Sequence, residues 1–429
     1  MAENQPANKN RMTTELSNFA ARLREIILSE GRVPRAPDLN GQNGGSWNSP
    51  LRKFNELALE LFALQFNHNA AYRKICAARG LTPKVVEHWT RIPAVPTSAF
   101  KELELTCLAP NERTTVFHSS GTTEQKPSRH FHSPESLKLY EASLIPWFLK
   151  NVLPDLRFTI YDLRLICLTP PPEQAPHSSL VHMFETVRQK LGAPERAFVG
   201  KLADDGAWTL DFAVAADLLS PRCQTPDARP FLLLGTAFSF VHLLDYLAEG
   251  NLRFDLPAGS RVMETGGYKN RSRSMPKTEL HGLITERLGV SSSHIICEYG
   301  MSELSSQAYD TKLERRSLTR RDAVGVQALA CSDGTLKREL QRAGSETDVP
   351  PGLRHFCFPP WARAQIISPE TGREVADGET GLIRVFDLAN IFSVMAIQTE
   401  DLGIRRAEHF ELIGRAVLAE PRGCSLMTV

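Results

Sequence analysis

Residues 116–130, VFHSSGTTEQKPSRH, bring together the groups that hold a phosphate. Ser119, Ser120, Thr122 and Thr123 carry hydroxyls, Gly121 leaves the backbone free to curl until its N–H groups converge, and Lys126 and Arg129 carry positive charge. The spacing is not that of a Walker A loop, because G-x-x-x-x-G-K-[ST] is absent. An ordinary Ser/Thr-rich turn would hold the same residues, and this stretch alone leaves both readings open. A second stretch, IICEYGMSEL at residues 295–304, reads as an apolar strand that delivers Tyr299, Gly300, Ser302 and Glu303 to its carboxyl end, where open α/β sheets bind ligands. Tyr299 has a ring that can stack on a purine, and Glu303 a carboxylate that can hold a magnesium ion bridging phosphates. A strand followed by a plain turn is the alternative. In a third stretch, QTEDLG at 398–403 precedes IGRA at 413–416. Asp401 at a turn can accept both hydroxyls of a ribose, and Arg415 can reach a ribose or phosphate oxygen. A surface hairpin with a solvated Asp would read the same way.

These stretches need elements to carry them. Short apolar runs predict strands at Leu163–Leu168, Ala197–Gly200, Phe231–Gly235, Arg261–Glu264 and Ile295–Glu298. Helical spacing predicts Leu180–Leu191, Phe240–Ala248 and Lys277–Leu288 between them, the alternation of an α/β lobe with a buried, largely parallel sheet. After Pro350 the texture changes to strand-like Ala364–Ile367, Gly381–Phe386 and Phe410–Ile413, with turn signals at PETG (369–372) and ADGE (376–379), which predicts an antiparallel second lobe. Near the start, Leu16, Phe19, Leu23 and Ile26 share a helical face, and FNELALELFALQF (54–66) is a strong amphipathic helix. Between them, residues 34–50 are rich in Pro, Gly, Asn and Ser and read as a linker. The expected organisation is an arm and linker over 1–50, an α/β core over 51–350, and a β lobe with a short tail over 351–429.

Composition narrows the partners. A chain of 429 residues exceeds the size at which one hydrophobic core stops growing, so more than one lobe is expected. A net charge of +1 argues against broad attraction to nucleic acid or anionic membrane, and no apolar run is long enough to span a bilayer. The polar start, Met1–Leu16, lacks the apolar stretch of a secretory signal. Eight scattered cysteines without a C-x-x-C pair give no zinc ribbon or dithiol motif and fit reduced thiols, hence a cytoplasmic location.

Taken in order, the phosphate loop, Y-G-x-[ST]-E, a hairpin before T-x-D-L, and the following G-R resemble the core motifs of the adenylate-forming superfamily of acyl-CoA synthetases, luciferases and peptide-synthetase adenylation domains. A narrower resemblance is carried by IPAVPTSAFK (92–101), GTAF (235–238), ETGGYK (264–269) and RGCSL (422–426). These look like the LuxE-type acyl-protein synthetases, the fatty-acid-activating subunits of the bacterial-luminescence fatty-acid reductase. The resemblance runs from about Phe54 to the C-terminus.

It implies the large α/β domain of an adenylate-forming enzyme with a small antiparallel β lobe. It also implies ATP and Mg2+ as cofactors and a carboxylic, fatty acid as substrate. The acid is activated as its acyl-AMP and passed to Cys424, for delivery to an acyl-reductase partner. The nucleotide site it implies includes Gly266 and Gly267 beside the residues above. The segment 235–242 reads as a lining of the acyl pocket, with Phe238 and Phe240 as plain core residues the alternative. Three departures stand out: Glu124 replaces the glycine usual after the Thr-Thr pair, residues 414–423 lack the Asp and Lys usual at the superfamily's hinge, and Val429 follows Arg415 too closely for the superfamily's C-terminal domain with its adenylation lysine. Lys269, beside Arg271 and Arg273, is the candidate replacement cation; a solvated basic loop is the alternative. Two other readings stay open: an acyl-CoA ligase of the phenylacetate type, and a non-catalytic acyl or nucleotide sensor.

Overall fold

Apolar runs too short for helices make the centre of the fold. In the computed structural model they lie side by side as parallel strands: Arg164–Cys167, Phe231–Thr236, Arg261–Thr265 and Ile295–Tyr299. The structure describes residues 6–30, 53–119, 126–154, 163–204, 206–220, 229–267, 272–312 and 354–416. In chain order the strands are β1 (Val95–Pro96), β2 (Thr115–His118), β3 (Arg129–His132), β4 (Arg164–Cys167), β5 (Gly200–Leu202), β6 (Trp208–Leu210), β7 (Phe231–Thr236), β8 (Arg261–Thr265), β9 (Ile295–Tyr299), β10 (Ala308–Lys312), β11 (Arg354–Cys357), β12 (Ala362–Ile367), β13 (Thr380–Asp387), β14 (Ala396–Arg406) and β15 (His409–Arg415). The helices are α1 (Pro6–Glu30), α2 (Phe54–His68), α3 (Ala70–Ala78), α4 (Ala99–Glu102), α5 (Pro134–Val152), α6 (Ser179–Leu191), α7 (Phe212–Leu219), α8 (Ala237–Glu249) and α9 (Lys277–Leu288).

One mixed sheet of eleven strands runs in the order β12-β13-β14-β15-β11-β10-β9-β8-β7-β4, with β1 added parallel to β14. Strand alternation divides its parallel part between two cores. Leu232, Leu234 and Met263 join the large cluster, whereas Phe231, Leu233 and Val262 face the cluster under α8 and α9. Strands buried on both faces read as continuous apolar runs, which is why the sequence exposes them so clearly. Along the order from β9 to β12 every pairing is antiparallel, β1 alone adding a parallel one on β14, and β10 and β11, on either side of residue 350, pair with each other. The sheet is therefore continuous from the α/β region into the β region.

Side chains mark the helix starts. Ser178 Oγ accepts from Val181 N ahead of α6, and Thr236 Oγ1 accepts from Ser239 N ahead of α8. Left-handed glycines, Gly192 and Gly289, end α6 and α9. Helix α1 packs on α5 through Leu16, Phe19, Leu23 and Ile27, all buried in the large core. Ile27, not Ile26, completes that face.

Two local expectations shift. Over 197–200 there is no strand of the main sheet: Pro194 opens a helical turn, Phe198 meets Cys167 in a single bridge, and the chain then turns off into the β5–β6 hairpin. Asp401 is not at a turn but inside β14, because the chain reverses further on, at Ala407 with φ 51°.

Candidate active site

The parallel strands β7, β8 and β9 end along one edge of a cavity of about 340 Å³. Thr236, Thr265, Gly266 and Gly300 form that edge, followed by Met301, Ser302 and Glu303 of the next turn. Gly266 has φ 74°, a backbone conformation that lets the chain leave β8 sharply. Gly300 has a packing reason instead: a Cβ there would run into the buried Glu298 carboxyl.

The opposite wall comes from the antiparallel region. Thr399, Glu400 and Asp401 of β14 and Arg415 of β15 line it, with Thr97 beside β1. Asp401 and Arg415 are register partners across β14 and β15, next to a β-bulge. Arg415 pairs with Glu400, and its Nε lies 3.7 Å from Asp401 Oδ1. Tyr299 donates from its hydroxyl to Asp401 Oδ2 at 2.9 Å.

Ser119 closes a third side, its Oγ accepting from Ser128 N at 2.9 Å across the β2–β3 hairpin. Beside it lie residues 174–180, at the amino end of α6, whose dipole favours an anion. His118 and His177 meet there with ring centroids 4.6 Å apart, and His118 N donates to the His177 carbonyl. Burial, then the neighbouring His177 and Arg129, holds the His118 imidazole below its ordinary pKa. Trp208 of the β5–β6 hairpin completes this side with a large ring.

Of the residues marked by sequence, Ser119, Gly266, Gly300, Ser302, Glu303, Asp401 and Arg415 thus share one cavity. Gly267 is buried beside it. Tyr299 does not offer its ring for stacking: it is enclosed by Phe356, Phe358 and Phe410 and reaches the site through its hydroxyl. The strand alternation that aims Glu298 to one face sends Tyr299 to the other. Lys126 stands outside the lining, its Nζ 3.3 Å from Glu102 Oε2. Phe238 and Phe240 are core residues, and Thr236 is what that segment gives to the cavity. Ser120, Gly121, Thr122, Thr123, Lys269 and Cys424 lie outside the described residues.

Sequence reasoning missed His118, Thr97, Trp208 and the loop 174–180. The loop had a signal, since it follows the apolar strand β4 at the carboxyl edge of a parallel sheet. Also unseen was the carboxyl of Glu298, which accepts from Thr265 Oγ1 beneath the cavity edge and is pushed up to about 7 by burial.

Among the described residues no three His, Cys, Asp or Glu side chains are grouped to hold a metal. Of the carboxylates that line the cavity, Glu303, in the turn after β9, fits a magnesium ion that arrives on nucleotide phosphates and keeps its waters, rather than one held in a protein cage.

The family model for acyl-protein synthetase, LuxE, matches residues 46–337. The long-chain-fatty-acid–luciferin-component ligase of Aliivibrio fischeri is 22% identical over 400 residues, covering 86% of each chain. That of Vibrio harveyi is 22% identical over 374 residues, covering 85% of this chain and 84% of its own. Among solved structures, 2-hydroxyisobutyryl-CoA ligase in complex with 2-HIB-AMP and CoA superposes with a TM-score of 0.57 at 13% identity, over 90% of this chain and 73% of that one. This is a likeness of fold, and it is the expected one: the mixed α/β fold of adenylate-forming ligases. A match over more than half of the sequence goes further than fold, and the chain belongs to the LuxE acyl-protein synthetase family.

Proposed function

We propose that the cavity makes an acyl-AMP from ATP and a carboxylic acid, and that the acyl group then passes to a cysteine thiol for delivery to a partner such as an acyl reductase. One observation carries the reading. Residues marked in sequence as phosphate, metal and ribose contacts, from Ser119 to Arg415, line a single cavity at the carboxyl ends of parallel strands. The names of the two bacterial relatives favour a long-chain fatty acid as the substrate.

In the first step a carboxylate oxygen of the acid attacks the α-phosphorus, the bond from that phosphorus to the bridging oxygen breaks, and pyrophosphate leaves. The protein's part is positioning and stabilisation of phosphoryl charge. Asp401, steadied by Tyr299, accepts the ribose hydroxyls, and Arg415 stands beside it for a ribose or phosphate oxygen. Ser119 and the amino end of α6 face the phosphates. Glu303 would hold magnesium, which supplies charge that neutralises phosphate oxygens when bound. Lys269 is the cation we assign to the developing charge. In the second step the Cys424 thiolate attacks the acyl carbonyl carbon and AMP leaves, keeping its phosphate oxygen. Arg422 nearby favours the thiolate.

The test is carboxylate-dependent exchange of pyrophosphate into ATP over a panel of fatty and aromatic acids. Exchange with fatty acids is expected; none with any acid would leave a non-catalytic binding protein. With labelled fatty acid and ATP, a hydroxylamine-sensitive thioester should form and disappear in Cys424→Ser while exchange persists. A soluble thioester formed on adding coenzyme A would instead point to an acyl-CoA ligase.

A further inference from the structure

Glu303 lies in a turn that belongs to no helix or strand and is buried from Ser302 to Gln307. Irregular backbone cut off from water must find its partners elsewhere. Here they are side chains from distant segments. Asn390 Nδ2 donates to the Glu303 carbonyl at 2.7 Å, and its Oδ1 accepts from Ser305 Oγ at 2.6 Å. Asp387 accepts from Ser305 N at 2.9 Å and from Ser306 Oγ at 2.8 Å. From the β2–β3 hairpin, His130 Nδ1 donates to the Ser302 carbonyl at 2.7 Å.

Asp387 and Asn390 are 0% and 2% exposed and open the chain reversal between β13 and β14. That reversal fixes itself as well: Asp387 Oδ1 accepts from Ala389 N, and Asn390 Nδ2 donates a second bond to the Val394 carbonyl. Two turns with no ladder between them are thus locked by two polar side chains.

We propose that Asp387 and Asn390 are positioning residues for Glu303, clamping its turn so that the carboxylate is held toward the cavity and its metal-borne nucleotide. This rests on the nucleotide reading given above. Glu303 lies between the carbonyl of Ser302, tied by His130, and its own carbonyl, tied by Asn390, while Asp387 fixes the next stretch of the same turn at Ser305 N. With both ends tied, the backbone torsions that aim its side chain have little freedom. A pair that only fastened the two turns together would stabilise the fold without bearing on the metal.

The experiment measures ATP binding by calorimetry with and without magnesium, beside thermal unfolding of each protein. Magnesium should tighten ATP binding to the wild type. Asn390→Ala should keep a folded thermal transition but lose about tenfold of that gain, since one well-made hydrogen bond to a buried group is worth about that much. Ser305→Ala, which removes only the bond to Asn390 Oδ1, should lose less in the same direction, and it serves if Asn390→Ala does not fold. Ser393→Ala is the control: it breaks a buried bond to the Leu105 carbonyl in the same reversal, away from Glu303, and should leave the gain intact. In a Glu303→Gln background, Asn390→Ala should cost nothing further. An unchanged gain in folded Asn390→Ala and Ser305→Ala, or an equal loss with and without Glu303, overturns the proposal. Wild-type binding indifferent to magnesium removes the metal role of Glu303 first, and the clamp with it.

Discussion

Glu303 and Asp401, which line the cavity together with Glu400, are held there by different means. Asp401 belongs to β14, a strand paired on both sides by β13 and β15, so a backbone ladder sets its place. Glu303 sits in a buried turn tied down by the side chains of Asp387, Asn390 and His130. A ladder spreads the task over many bonds, and losing one side chain disturbs it little. A clamp concentrates the task in a few buried groups, each costly to remove. The cavity wall from the antiparallel region should therefore tolerate substitution near its acid better than the wall from the parallel region.

The largest effects test the premise that both acids matter. Glu303→Ala and Asp401→Ala should each lower pyrophosphate exchange by about a hundredfold or more while leaving the fold intact. Undiminished exchange in either soluble variant would break the comparison at its root. Next comes the clamp itself. Asp387→Ala strands Ser305 N, Ser306 Oγ and Ala389 N, and should cost about 3 kcal/mol of stability, read in denaturant unfolding. A cost below about 1 kcal/mol would show that the turn finds other partners.

Glu298 sharpens the contrast through pH. Burial holds its carboxyl at about 7, above the ordinary 4.5 of a glutamate, with the Thr265 hydrogen bond acting the other way. The folded chain thus binds this proton more tightly than the unfolded one. Its contribution is full below about pH 4.5 and is lost as pH rises through about 7. Glu298→Gln, neutral throughout, should match the wild type near pH 4.5 and exceed it at pH 8, by up to about 3 kcal/mol. A stability difference that stays constant across that range would count against a buried, titrating carboxyl. The smallest effect belongs to the ladder side. Tyr299→Phe removes the hydroxyl bond to Asp401 and should weaken ATP binding by only about fivefold, near 1 kcal/mol, because β14 still holds the acid in place. A loss as large as that of Asp401→Ala would mean that Tyr299, not the ladder, positions it.

Most of the parallel strands and several residues of the cavity are legible in the sequence. Continuous apolar runs such as Phe231–Gly235 read as strands buried on both faces, and ligand contacts then belong at the carboxyl ends of such strands, where Gly300 and Glu303 lie. The run at 197–200 reads the same way and forms no strand of the main sheet. Motif order tied Ser119, Asp401 and Arg415 to the same place although far apart in the chain. Direction and company are set by the three-dimensional packing alone. The alternation along a strand says that Glu298 and Tyr299 point opposite ways, but not which way the cavity lies, so the Tyr299 ring was expected on the wrong side. Asp387 and Asn390 carried no signal, since their partners are some eighty positions away and Asp and Asn in a turn ordinarily bond their own backbone. Periodicity reports burial, a local property. A hydrogen bond between two turns depends on where the whole sheet brings them, which no local pattern records.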